Sequence, residues 1–118
     1  MTQRTDGNFD VDPREQITIT ITKSEPNCDA TVRVSGATLA CVPNPQFPIC
    51  QQCSFTAPDN SGADVRLEMT LGFQSDPQGN FDPNDSYTVV FSGAGGSSET
   101  RDFFPPSVFA LVYHFFVR

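Results

Sequence analysis

Apolar and polar residues alternate along most of this chain, and this period of two constrains its fold more than any other feature. Ile17, Ile19 and Ile21 are separated by threonines, and every second residue from Val65 to Phe73 is apolar. Successive side chains of a β-strand point to opposite faces, so the pattern predicts strands with one buried and one solvated face. Clusters of Pro, Gly, Asn, Asp and Ser between these runs predict turns. We therefore expect an all-β fold, an antiparallel sandwich of about seven strands.

Length and charge bound the organisation of the chain and its partners. We expect residues 1–14 to form a polar arm and residues 15–118 a single β-sandwich domain. The net charge is −7 and there is no basic patch, which argues against nucleic acid and anionic membranes as partners. No apolar run is long enough for a transmembrane helix. No basic-then-apolar leader opens the sequence, so the protein either is not exported by that route or is a mature form behind an added Met.

The final segment, residues 107–118, is apolar on both faces of the predicted strand. The row expected in the core carries the larger side chains: Phe109, Leu111, Tyr113 and Phe115. The row expected at an interface carries smaller residues and the only histidine: Val108, Val112, His114 and Phe116. A small sandwich supplies one internal layer, so the second row needs another cover. We expect that cover to be another copy of the chain or a surface on which it assembles.

One stretch matches a pattern of a known fold family. An apolar residue, a proline two positions later and a tyrosine four positions after that occur at Phe81, Pro83 and Tyr87. This spacing resembles the turn into strand F of immunoglobulin-like domains, and of fibronectin type III modules in particular. The resemblance implies an immunoglobulin-like sandwich in which the Tyr87 hydroxyl bonds back to the upstream backbone as a tyrosine corner. It implies no functional residues.

The four cysteines, Cys28, Cys41, Cys50 and Cys53, allow two interpretations. The pair Cys50 and Cys53 has the spacing of a zinc knuckle, but Cys28 and Cys41 do not form a second such pair. An even number of cysteines in a helix-poor, acidic chain favours two structural disulfides, and therefore an oxidising, extracellular or virion-surface location. We expect Cys41 to pair with Cys50 and Cys28 with Cys53. Loop entropy predicts a stabilisation of about 2.5–3.5 kcal/mol for each bond.

The loop from Asp76 to Asp85 is a candidate calcium site. Its short oxygen-bearing side chains, Asp76, Asn80, Asp82 and Asp85, are ligands of the kind that a hard cation prefers. The spacing is not that of an EF-hand, and the same residue types form ordinary turns. We therefore expect no obligatory cofactor and keep calcium as the alternative.

Two classes of function agree with these patterns, and catalysis is not one of them. His114 lies inside an apolar strand, where a lone histidine is more often a packed or interface residue than a general base. We expect a non-enzymatic structural or docking module that assembles with itself or onto a virus shell, filament or surface layer. The apolar segment Phe103–Pro106 before the final strand supports this interpretation. The alternative is an extracellular carbohydrate-binding module, with or without the assistance of calcium, although the chain has no Trp and only two Tyr for stacking on sugars.

Overall fold

The computed structural model describes residues 1–105 and 108–118, and these form two five-stranded sheets packed face to face. Ser107, the first residue of the predicted final strand, and Pro106 of the apolar segment before it lie outside the described residues. The first sheet has the order β1–β2–β10–β7–β4, with bounds β1 Thr2–Thr5, β2 Asn8–Val11, β10 Phe109–Val117, β7 Asp64–Leu71 and β4 Ala30–Ser35. The second has the order β5–β6–β3–β8–β9, with bounds β5 Ala40–Cys41, β6 Ile49–Thr56, β3 Gln16–Lys23, β8 Tyr87–Gly93 and β9 Ser98–Phe103.

The predicted all-β sandwich is confirmed, and residues 1–105 and 108–118 contain ten strands rather than about seven. The polar arm expected over residues 1–14 is wrong: β1 and β2 form a hairpin that joins the first sheet. Phe9 and Val11 are fully buried, so even this short polar stretch supplies core residues at every second position. The strand β9 was also missed, because its sequence SETRDF is almost entirely polar and lies at a sheet edge.

The last strand, β10, lies in the middle of the first sheet. It pairs antiparallel with β7 along its whole length, and parallel with β2 from His114 to Val117. In the second sheet the central strand is β3, which pairs antiparallel with β6 and β8. Every ladder except that between β2 and β10 is antiparallel.

Phenylalanine packing fills the space between the sheets. Phe9 stacks on Phe115 with ring centroids 5.0 Å apart, and Phe55 meets Phe115 edge-on at 5.2 Å. Phe91 contacts Phe9 at 5.3 Å and Tyr113 at 4.8 Å. Such aromatic pairs contribute about 0.5–1.5 kcal/mol each beyond the area that they bury. The core is thus formed by rings from both sheets, which explains a chain rich in phenylalanine.

The two disulfides are Cys28–Cys50 and Cys41–Cys53, so the pairing expected from the sequence is wrong. The cause is strand register: β5 pairs with β6 so that Cys41 lies directly opposite Cys53. Cys50 is then left to bond with Cys28, which precedes β4 in the facing sheet. One bond therefore holds a two-residue edge strand, and the other connects the two layers. No cysteine remains free, which leaves no thiolate for a zinc site.

Tyr87 also connects the two sheets. Its hydroxyl donates to the carbonyl oxygen of Gly72 at 2.8 Å and accepts from the backbone N–H of Asp29 at 2.8 Å. Gly72 follows β7 and Asp29 precedes β4, so a side chain of one sheet satisfies two backbone groups of the other. In a tyrosine corner the partner lies a few residues upstream in the chain. Here the accepting carbonyl is 15 residues upstream, and the bond crosses between layers.

Candidate functional site

The two rows of β10 face opposite sides of the first sheet. Tyr113, Phe115 and Val117 are buried, and Phe109 and Leu111 are half-buried against the core. The alternate residues lie on the outer face, and these are Val108, Ala110, Val112, His114 and Phe116. The four residues predicted for an interface are therefore together on one surface.

The outer row divides into a covered half and an exposed half. His114 Nδ1 lies 3.0 Å from a carboxylate oxygen of Asp64, and its ring stacks on Phe116 with centroids 5.7 Å apart. The guanidinium of Arg4, from the hairpin that the sequence did not predict, lies 5.0 Å from the centre of the Phe116 ring. Part of the cover expected from a partner is thus supplied by the chain itself.

The exposed half consists of Val108, Ala110 and Val112, which we call the β10 patch. Val108, just before β10, is 67% exposed and Val112 is 43% exposed, in the part of the strand that pairs with β7 but not with β2. A shallow depression of about 250 Å³ lies beside them, lined on the β7 and β4 side by polar residues such as Thr70 and Thr31. An apolar strip in the middle of an open sheet face is a feature of interaction surfaces.

A lateral cleft opens beside the β10 patch, next to the turn that precedes β2. The carbonyl oxygen of Gly7, in the hairpin turn, accepts a hydrogen bond from the backbone N–H of His114 at 2.7 Å. Among the described residues, none of β2 pairs with β10 before His114. The cleft has a volume of about 350 Å³ and is lined by apolar side chains that include Phe103 and Leu111. Arg101 lies at its wall, bonded to Asp6 at 2.8 Å.

Tyr113 forms the base of the lateral cleft, with the guanidinium carbon of Arg101 5.8 Å from its ring centre. Burial raises the pKa of the Tyr113 phenol, and the positive charge of Arg101 opposes that rise. The phenol is therefore held neutral at the bottom of a mainly apolar cavity. Such a cavity can accept an apolar side chain or a small ligand, and its polar groups would orient what binds.

The four predicted calcium ligands line one open cleft of about 300 Å³, and three of them, Asp76, Asp82 and Asp85, already accept hydrogen bonds within the protein. Asp76 accepts hydrogen bonds from the backbone N–H groups of Gln78 and Asn80, each at 2.9 Å. Asp82 accepts one from the backbone N–H of Asn84 at 2.9 Å. These are turn-stabilising contacts. Within the described residues, no three His, Cys, Asp or Glu side chains are grouped closely enough to hold a metal ion.

Glu25 and Asp82 form a carboxyl pair at the rim of the same cleft. A hydrogen bond with Asp82, and the negative charge of that group, raise the pKa of Glu25. The pKa of Asp82 is lowered, first by the N–H donated from Asn84 and then by the bond with Glu25. As the pH rises, Asp82 therefore loses its proton before Glu25 does. Calcium binding stays a prediction that this geometry does not favour.

A buried lysine cluster is the functional feature that sequence reasoning missed. Lys23, the only lysine of the chain, is 3% exposed at the end of β3. Its Nζ donates to Asp85 Oδ2 at 2.6 Å and to Asn27 Oδ1 at 2.7 Å. The rings of Phe73 and Tyr87 lie over the amine, with centroids 5.6 and 5.2 Å from Nζ. The signal was available, because Lys23 continues the inward row of Ile17, Ile19 and Ile21.

Asp85 is held as tightly as Lys23. The residue is 4% exposed, and its second oxygen, Oδ1, accepts from the Ser24 hydroxyl at 2.8 Å and from the Ser86 backbone N–H at 2.9 Å. Both carboxylate oxygens therefore have partners. Taking two opposite charges out of water costs several kcal/mol for each ion, and the attraction between them offsets this only when the geometry is good. In this cluster the close contact and the additional hydrogen bonds are what offset the cost of burying the two charges.

Comparison of the chain with known proteins gives no relative from which a function could be transferred. None of the described residues belongs to a helix that could cross a membrane. Comparison with family models, with curated proteins and with solved structures finds no match.

Proposed function

We propose that this protein is a non-enzymatic structural or docking module that assembles with copies of itself or onto a larger protein surface. The observation that supports this proposal is the β10 patch, an apolar strip that stays exposed where β10 pairs with β7 but not with β2. Fully burying an exposed valine contributes about 1.5–3 kcal/mol, and Val108 and Val112, which are 67% and 43% exposed, would each contribute a part of that. A virus shell, a filament and a surface layer are all partners of this kind.

The rim of the patch suits association between acidic molecules. Glu68 lies beside Val112 on β7 and pairs with Arg33 at 3.0 Å and with Arg66 at 3.1 Å. One carboxylate and two guanidinium groups give this side of the apolar strip a local charge of about +1, although the chain has a net charge of −7. The remaining repulsion between copies is long-range, so added salt should screen it and strengthen assembly.

Two further observations support the remainder of the proposal. His114, the only histidine, is bonded to Asp64 on the outer face, and this geometry suits a positioned surface residue better than a general base. The two disulfides are consistent with an oxidising location, and we propose that the module acts outside the cell or on a virion. The immunoglobulin-like assignment stays a prediction, supported by the two-layer sandwich, while the bonds of Tyr87 differ from those of a tyrosine corner.

The test is the mass in solution, measured by sedimentation at several protein concentrations. We expect association that increases with concentration and with salt, and a loss of at least tenfold in association constant for Val112→Asp. The matched control is Thr100→Asp, which adds the same charge to an exposed position of the other sheet. A chain that stays monomeric at every concentration, or equal effects of the two substitutions, would contradict assembly through this patch.

Carbohydrate binding is the second candidate, and two exposed aromatic side chains favour it. Phe47 is 56% exposed and Phe104 is 57% exposed, so each could stack on a sugar ring. A glycan array with the wild type and with Phe47→Ala and Phe104→Ala would test the idea. Binding that either substitution removes would support it, and an array without signal would leave assembly as the better account.

A further inference from the structure

The buried lysine cluster brings an amine and a carboxyl group together in a site that is largely shielded from water, since Lys23 is 3% and Asp85 is 4% exposed. Lys23 Nζ and Asp85 Oδ2 are 2.6 Å apart, which is hydrogen-bond contact between the two groups that an amide bond would join. The two residues are 62 positions apart in the chain, at the end of β3 and just before β8. Two aromatic rings cover the amine, and the Lys23 side chain is only 1% exposed.

Two physical effects favour condensation at this place. Groups held in reactive contact behave as if each were present at an effective concentration on the order of 10⁵–10⁸ M. An amide is also neutral, so its formation removes two charges from the interior, where they are costly to keep. Because both residues are almost fully buried, water has little access to the amide once it has formed, and this slows hydrolysis.

We propose that Lys23 and Asp85 form an intramolecular isopeptide bond that covalently joins the two segments. A proton moves from the Lys23 ammonium to Asp85 Oδ2, giving a neutral amine and a carboxylic acid. The amine nitrogen attacks Asp85 Cγ, so that the Nζ–Cγ bond forms and Oδ1 carries the negative charge of the tetrahedral intermediate. The Cγ–Oδ2 bond then breaks, and Oδ2 leaves as water with a second proton from Nζ. One ammonium and one carboxylate thus give one amide and one water molecule, with no change of oxidation state.

The neighbouring residues have the positions that these steps require. Oδ1, where charge develops, already accepts hydrogen bonds from the Ser24 hydroxyl and the Ser86 N–H, which together form an oxyanion hole. Asn27 Oδ1, 2.7 Å from Nζ, accepts a hydrogen bond from the amine and holds its orientation. Ser24 and Asn27 are positioning residues, and Lys23 and Asp85 are the groups that react. The inference is independent of the β10 patch, so either proposal can fail alone.

The experiment is mass spectrometry of the purified, unlabelled chain after its disulfides have been reduced and the protein denatured. We expect an intact mass lower by one water molecule than the sequence requires. Because Lys23 is the only lysine, a lysine-specific protease should leave the denatured chain uncut. Trypsin should give a branched peptide in which residues 15–33 are joined to residues 67–101. Neither Lys23→Arg, which keeps the charge, nor Asp85→Ala should show the mass loss.

A kinetic measurement separates the oxyanion hole from mere packing. In freshly produced protein, Ser24→Ala should slow the appearance of the cross-linked form about 10²-fold, the effect of removing one such donor. The matched control, Ser61→Ala, removes a hydroxyl from an exposed turn and should not change the rate. An equal rate in Ser24→Ala would overturn the role of Ser24.

Two results would overturn the bond itself. A wild-type chain of full sequence mass that the lysine-specific protease cuts once would show that Lys23 and Asp85 remain an ion pair. A mass lower by one ammonia, with both linked groups inside residues 15–33, would place the bond on Asn27 and overturn the assignment to Asp85.

Discussion

The bonds of Tyr87 allow a stability prediction that can be worked from the structure. Tyr87→Phe keeps the ring, which is fully buried, and removes only the hydroxyl. Two hydrogen bonds are lost, one to the Gly72 carbonyl and one from the Asp29 N–H. At about 0.5–1.5 kcal/mol for each net bond, the loss is about 1–3 kcal/mol. The Gly72 carbonyl is then left buried without this partner, which places the expected cost at about 2–3 kcal/mol.

The assay is urea denaturation of the oxidised protein, followed by far-ultraviolet circular dichroism, with thermal unfolding as a second readout. A cost of this size should lower the melting temperature by roughly 10 °C for a domain of this length. The matched control is Tyr113→Phe, because the Tyr113 phenol makes no hydrogen bond to another described residue. It should change the free energy of unfolding by less than about 0.5 kcal/mol.

The reasoning would be refuted by a Tyr87→Phe variant within about 0.5 kcal/mol of the parent. Equal losses in the two variants would also refute it, because the cost would then follow from the phenol group in general and not from the bridge between the sheets.

Three further predictions follow from the same structure. Denatured, non-reduced protein should contain no titratable thiol, and replacing either bonded cysteine pair with alanine should cost about 3 kcal/mol in chemical denaturation. Burial raises the pKa of both tyrosines above the ordinary value of 10.0, so the stability that their neutral forms contribute should be intact below pH 10.0 and be lost as the pH rises through the folded-state values. Tyrosinate absorbance should then appear together with unfolding. Phe115→Asp should unfold the chain, whereas Val112→Asp should leave circular dichroism unchanged.

Strands whose residues alternate strongly could be predicted from the sequence, and strands that lack a full apolar row could not. The runs that became β3 and β7 have apolar residues at every second position because both lie inside their sheets with one face on the core. The edge strand β9 buries no side chain fully, so its sequence resembles a turn. The hairpin of β1 and β2 depends on a partner more than 100 residues away, and no local pattern reports such pairing.

Only one aspect of the site could be predicted from the sequence, namely which face of a strand each side chain occupies. The period of two is enough to assign Val112 to the outer face and Phe115 to the core. The disulfide pairing depended on the register between β5 and β6, and the spacing of the cysteines along the sequence does not reveal that register. The contact between Lys23 and Asp85 depended on how a strand end meets a distant loop, and so only the burial of Lys23 could have been anticipated.

The central position of β10 has a consequence for the order in which the chain folds. During synthesis β2 and β7 emerge early, yet the strand that belongs between them is the last of the ten. The second sheet can assemble as soon as β9 has been synthesised. The first sheet lacks its central strand until β10 has been synthesised, and until then the facing edges of β2 and β7 stay unpaired. Closing a pairing between residues 8–11 and 114–117 is slow because the ends of a long loop have to meet. We therefore expect a nascent chain that is half assembled and prone to aggregate until its final strand is released from the ribosome.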